Sequence, residues 1–183
     1  MIHPVKLGMA VALGLATATA AVAASNPMVG GAAMYSTKTI VENAVNSKDH
    51  TTLVAAVKAA GLVDTLSGSG PFTVFAPTNA AFGKLPAGTV DTLVMPENKG
   101  TLTKILTYHV VPGRYTAAQI AELAAANGGT AVLTTVEGEA LKFRKNGSGW
   151  MVVDAKGGMA QITIANVIQS NGVIHVVDTV LMP

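Results

Sequence analysis

Leu102–Gly113 reads LTKILTYHVVPG, and within it Leu102, Ile105, Leu106 and His109 recur at i, i+3, i+4 and i+7. That spacing predicts a helix with all four residues on one inward stripe, so His109 points where the leucines point. Pro112 and Gly113 are expected to end the helix, since proline lacks a donor and glycine readily closes a last turn. A buried imidazole without a partner costs about 1–3 kcal/mol, so His109 needs a hydrogen bond. Asn79 and Asp178 are the side chains expected to supply it. The stripe favours a core histidine tying the helix to a strand over a catalytic base, a metal ligand or a partly exposed recognition residue.

Downstream of this helix, Thr116–Asn127 is alanine-rich and weakly helical, ended by Gly128-Gly129. From Thr130 the punctuation becomes that of a β-meander. Residues 131–136, 140–145, 151–155, 162–165 and 173–177 are rich in β-branched side chains. Between them stand Glu137-Gly138, Asn146-Gly147, Gly157-Gly158 and Asn171-Gly172, all suited to tight reversals with positive φ. Ala165–Ile168 and Val173–Val177 are expected to pair as an antiparallel hairpin across Ser170-Asn171-Gly172. Asp178 then follows, placed to tie the final strand to the helices beneath it.

Upstream, Thr39-x-x-Glu42 is a capping box for a short helix, and Leu53, Val54, Val57 and Ala60 form the apolar face of a second, stopped by Gly61. Asp49 is its expected N-cap, which leaves His50 at an exposed helix start. Phe72–Ala76 is a strand bounded by Pro71 and Pro77, and so is expected at a sheet edge or a strand terminus. Thr78 or Asn79 caps the turn that follows, and Asn79 can also pin a loop through its amide. Helices come first and strands last, which points to an α+β domain with helices packed on a mostly antiparallel sheet.

Three stretches divide the chain. Residues 1–23 read as a signal peptide, with Lys6 in a short basic start, an apolar run and Ala21-Val22-Ala23 as the cleavage motif. Residues 24–36 are rich in Gly and Ala and read as a flexible leader, and residues 37–183 as one domain. The product is expected to be secreted, periplasmic or extracellular, monomeric and without an integral membrane span.

The 183 residues contain no cysteine, which excludes a disulfide framework, a thiol nucleophile and a thiolate metal site. Twelve basic residues against ten acidic leave no basic block, so nucleic acid is not an expected partner. His50, His109 and His175 lack the helical metal spacing, and no phosphate loop or nucleophile elbow occurs. Neither a cofactor nor a catalytic set is expected. Trp150, on a hairpin, covers one face of the sheet or, exposed, anchors a partner.

Three segments together resemble the fasciclin-like adhesion domain: Thr52–Pro86, the Tyr108-His109 pair within LTKILTYHVVPG, and Ala165–Pro183, ANVIQSNGVIHVVDTVLMP. The resemblance implies helices packed on a bent β-wedge, and a secreted or surface-attached protein. Such a protein would mediate adhesion to a cell-surface or matrix protein or glycan, without catalysis. Animal members have been linked to integrin recognition through an Asp-Ile pair and the Tyr-His region. Here the candidate recognition residues are Tyr108, His109, Asn166 and Val167, and Asn166 in place of the aspartate removes the ligand for an integrin's metal ion. Asn79, His109 and Asp178 are expected to be structural. The competing expectation is a small-molecule or glycan binder with a pocket near His109.

Overall fold

The computed structural model describes residues 26–183; the expected signal peptide lies outside them. Seven strands among these residues form one sheet in the order β2-β1-β7-β6-β5-β4-β3. They are β1 Phe72–Pro77, β2 Val110–Pro112, β3 Thr130–Thr134, β4 Ala140–Asn146, β5 Gly149–Val153, β6 Met159–Gln169 and β7 Gly172–Val177. All neighbours pair antiparallel except β1 and β7, which run parallel in register from Phe72↔Gly172 to Pro77↔Val177. The Val136 N–H donates to the Val110 carbonyl at 2.7 Å, joining the two ends of the sheet into a nearly closed wedge.

The bend lies in β6. Its register against β7 shifts twice, between Ile162 and Ile164 and between Ile164 and Val167. Asn166 sits at the second shift with φ of 59°, a left-handed conformation that Asn tolerates better than most residues.

One sheet face carries Val74, Ala76, Ile174 and Val176 against Leu53, Val57, Leu102 and Leu106 of the helices α2 (Thr51–Ala60) and α6 (Lys99–Tyr108). The opposite face encloses Phe75, Tyr108, Phe143, Trp150, Val152 and Leu181, closed over by Ile120 and Ala124 of α7 (Ala117–Ala126). Because both faces are covered, β7 is buried along its whole length and reads as an unbroken apolar run rather than an alternating one. Trp150 is a core residue of the enclosed face. Capping boxes at Thr39/Glu42 and Thr116/Gln119 start α1 (Ile40–Ala44) and α7.

Three expectations are corrected. Residues 26–36 are no flexible leader. The Asn26 amide donates to the Ile168 carbonyl at 2.6 Å and accepts from its N–H at 2.8 Å, satisfying β6 beyond the end of β5, while Val29 and Met34 are buried. The organising helix ends at Tyr108, not at Pro112. Val110 and Val111 are β-branched and leave it directly to pair with Val74 and Thr73. That added strand also moves β1 off the sheet edge, so of the two expected places the prolines occupy the strand's termini and spare the interior donors. His50, finally, is buried, because a 3-10 turn at Lys48–His50 rolls its ring inward onto Ser47.

Gly172 is required for space rather than for positive φ. A Cβ there would collide with the Phe72 carbonyl at the start of the parallel pair. Gly172→Ala is expected to lower stability by at least about 3 kcal/mol in chemical denaturation, because the obstacle is backbone and cannot rotate away.

Candidate functional site

The residues singled out in the sequence do not form one surface. Tyr108, His109 and Val167 are buried, and Asn166 alone is exposed. Tyr108 lies inside the enclosed face, where its hydroxyl accepts from the Ala155 N–H at 2.8 Å and donates to the Ala140 carbonyl at 3.4 Å. Val167 packs with the helical layer.

His109 closes α6 as its C-cap residue. Its Nε2 accepts from the Leu181 N–H at 3.0 Å, which leaves the proton on Nδ1, 2.8 Å from the Ile105 carbonyl to which it donates. Neither Asn79 nor Asp178 reaches it. Both partners are backbone groups, one supplied by the helix's own last turn and the other by the C-terminal tail passing over it. Burial drives its pKa down to about 4, opposed by the Ile105 carbonyl and by Asp154.

The other two histidines are arranged alike. His175 Nδ1 accepts from the Asn166 N–H at 3.3 Å and its Nε2–H donates to the Tyr115 carbonyl at 2.7 Å, with the ring stacked on Phe75. His50 lies between the Ser47 hydroxyl and the Ala76 carbonyl. Burial lowers the pKa of both. All three rings are therefore neutral fasteners: His109 and His175 each join two pieces of main chain, and His50 joins the Ser47 hydroxyl to the Ala76 carbonyl.

Asn79 pins a loop through its amide. Its Oδ1 accepts from the Thr52 N–H at the start of α2, and its Nδ2 donates to the Lys48 carbonyl. Thr78 takes the capping position of the helix that follows. Asp178 accepts from the Gln161 N–H at 2.8 Å and approaches Lys84 at 3.7 Å, so it joins β6 to the end of the Asn79–Gly83 helix.

Asn166 is the exposed feature. Its Oδ1 accepts from the Ala117 N–H at 2.8 Å in the first turn of α7, and its own N–H is held by His175, so the turn is fixed from both sides. Farther along β6, Arg114 donates to the Gln169 carbonyl at 3.1 Å. Asn166, the Thr116 cap and the exposed start of α7 thus form one ridge, held at Asn166 by Ala117 and His175.

Sequence reasoning missed Asn171. Its dipeptide Asn-Gly signalled a positive-φ turn, but neither residue adopts positive φ. The buried amide instead accepts from the Ile40 N–H and donates to the Leu66 and Gly68 carbonyls, stapling the terminal hairpin to two helix ends. A narrow apolar cavity of about 40 Å³ lies between α1, α2 and α6, with His109 in its wall, where the competing expectation put a pocket. Among the described residues no three His, Asp or Glu side chains group as a metal site.

The sequence profile of the fasciclin domain matches residues 48–183. Protein sll1483 of Synechocystis sp. is 52% identical over 157 residues, 85% of this chain and 79% of its own length. The immunogenic protein MPB70 of Mycobacterium bovis is 40% identical over 145 residues, 76% of this chain and 66% of its own. The cell surface glycolipoprotein MPB83 of Mycobacterium bovis is 35% identical over 167 residues, 88% of this chain and 68% of its own. A solved FAS1 domain pair from the insect cell adhesion molecule fasciclin I shares the fold, with a TM-score of 0.70 at 19% identity over 80% of this chain. This chain spans about half that pair, 51% of its length.

Folded His109 stays neutral, whereas unfolded it takes a proton below its ordinary value of 6.5. The unfolded chain then binds more protons, so stability is fully present above 6.5 and falls as pH drops toward about 4. For His109 alone the loss over that window is about 3 kcal/mol, with His175 and His50 acting in the same direction. Denaturant titrations from pH 7.5 to 4 measure it. His109→Ala is expected to be less stable by about 2–4 kcal/mol at pH 7.5, with a flatter pH dependence.

Proposed function

This chain belongs to the fasciclin domain family, and on that premise we propose that it is an exported, non-catalytic adhesion module. It attaches the cell surface to other cells, to matrix or to a host surface, and its partner is a surface protein or glycan. The names of two relatives support the reading: a mycobacterial cell surface glycolipoprotein, and an insect cell adhesion molecule that shares the fold. No helix of the described residues is long and apolar enough to cross a membrane.

The observation that carries the proposal is the ridge at Asn166. An exposed polar turn fixed on one side by Ala117 and on the other by His175 loses little freedom when it meets a partner. It also stands at the position where the family resemblance locates recognition. Catalysis finds less support, since each buried histidine already spends both ring nitrogens on internal partners. A glycan pocket at His109 finds less still, because the cavity there is apolar and holds only about 40 Å³.

Attachment of cells to wells coated with the purified protein tests the proposal. Wild type is expected to retain cells in proportion to coating density. Ala118→Arg adds bulk on an exposed helical position of the ridge, and is expected to cut attachment by about fivefold or more with an unchanged melt. A wild-type coat that retains no cells contradicts adhesion, and full attachment by the variant moves the contact away from Asn166.

A further inference from the structure

The cavity beside His109 opens between α1 and α2. Val41, Ala44, Val54 and Val63 form a half-buried aliphatic mouth, and Leu106 and Val110 lie at its floor. His109 offers it no free polar atom, as both ring nitrogens are bonded elsewhere. Lys58 is exposed at the rim and makes no salt bridge among the described residues. A second void of about 30 Å³ lies behind, sharing Ile40, Ala44, Leu53 and Val74 with the first and roofed by Val29 and Met34.

Three properties select a ligand. The walls are aliphatic, so the buried part of the ligand is apolar. The free space of about 40 Å³ is well below the roughly 150 Å³ of a cavity that holds benzene, which excludes rings and favours a thin unbranched chain. The single polar group at the mouth is a cation, so the end left outside is an anion. We propose that this slot binds an unbranched medium- or long-chain carboxylic acid. Its terminal methylenes fill the void beside His109, the rest of its chain lies along the valines of the mouth, and its carboxylate pairs with Lys58.

Filling the void restores dispersion contacts that its lining now lacks. The second void, beyond Ile40 and Leu53, gives a longer tail room once those side chains turn. The proposal is independent of adhesion at Asn166, which lies on the other side of β7 near α7.

Methyl NMR of the full chain, titrated with sodium decanoate below its micelle concentration, tests it. Resonances of Val54, Val57, Leu106 and Val110 are expected to shift together and saturate. Decyltrimethylammonium, with the same tail and a cationic head, is expected to bind at least about tenfold more weakly, and Lys58→Glu to weaken decanoate by about tenfold. Ala44→Leu, which plugs the mouth, is expected to abolish the shifts. Lys58→Glu lies on the surface and keeps the test decisive if the plugged variant does not fold. Shifts scattered over the surface, no shifts at all, equal binding of the two head groups, or undiminished binding by Ala44→Leu would each overturn the proposal.

Discussion

A neutral imidazole fastens the C-terminal tail to the organising helix. His109 takes the Leu181 N–H on one nitrogen and gives the proton on the other to the Ile105 carbonyl, so the last turn of α6 and the C-terminal tail share one fully buried ring. Burial is tolerable because every polar atom of the ring is matched, and the match requires the uncharged form. The tail can reach His109 only if β7 lies between β1 and β6. The ring therefore reports that the centre of the sheet has been assembled.

That assembly is demanding. β1 and β7 are remote in sequence and pair parallel, so neither a hairpin nor any short connection brings them together. Their close approach is set at one end by Gly172, which leaves room for the Phe72 carbonyl, and by Asn171, which fastens the turn to α1 and α3 (Val63–Ser67). At the other end the tail continues to Leu181 and His109. The helical layer and the enclosed face are consequently two cores built on opposite sides of the same two strands. Rigidity at Asn166 follows from this, because His175 of β7 holds the bend of β6 in place.

Much of this was legible from local pattern. The stripe of Leu102, Ile105 and Leu106 gave the buried face of α6, the Thr39/Glu42 box started α1, Gly61 stopped α2, and the glycine-punctuated segments after Thr130 formed the meander. What escaped was non-local. Residues 26–36 have a linker's composition, yet Asn26, Val29 and Met34 pack against elements whose presence no window of sequence reveals. His50 and Asn171 carry polar side chains at positions that local rules place in solvent, and tertiary partners bury both. The partners of His109 were missed for a related reason. They are main-chain groups, which every residue possesses and no sequence motif distinguishes.

The most direct test of this account is the protonation of His109 itself, followed by 15N NMR of the imidazole ring across pH 8 to 4.5. The account expects a neutral ring carrying its proton on Nδ1 and a scalar coupling from Nε2 to the Leu181 amide. Both should persist down the acid range until the ring titrates near 4. A ring that titrates near its ordinary 6.5 in the folded protein, or that carries its proton on Nε2, would contradict it.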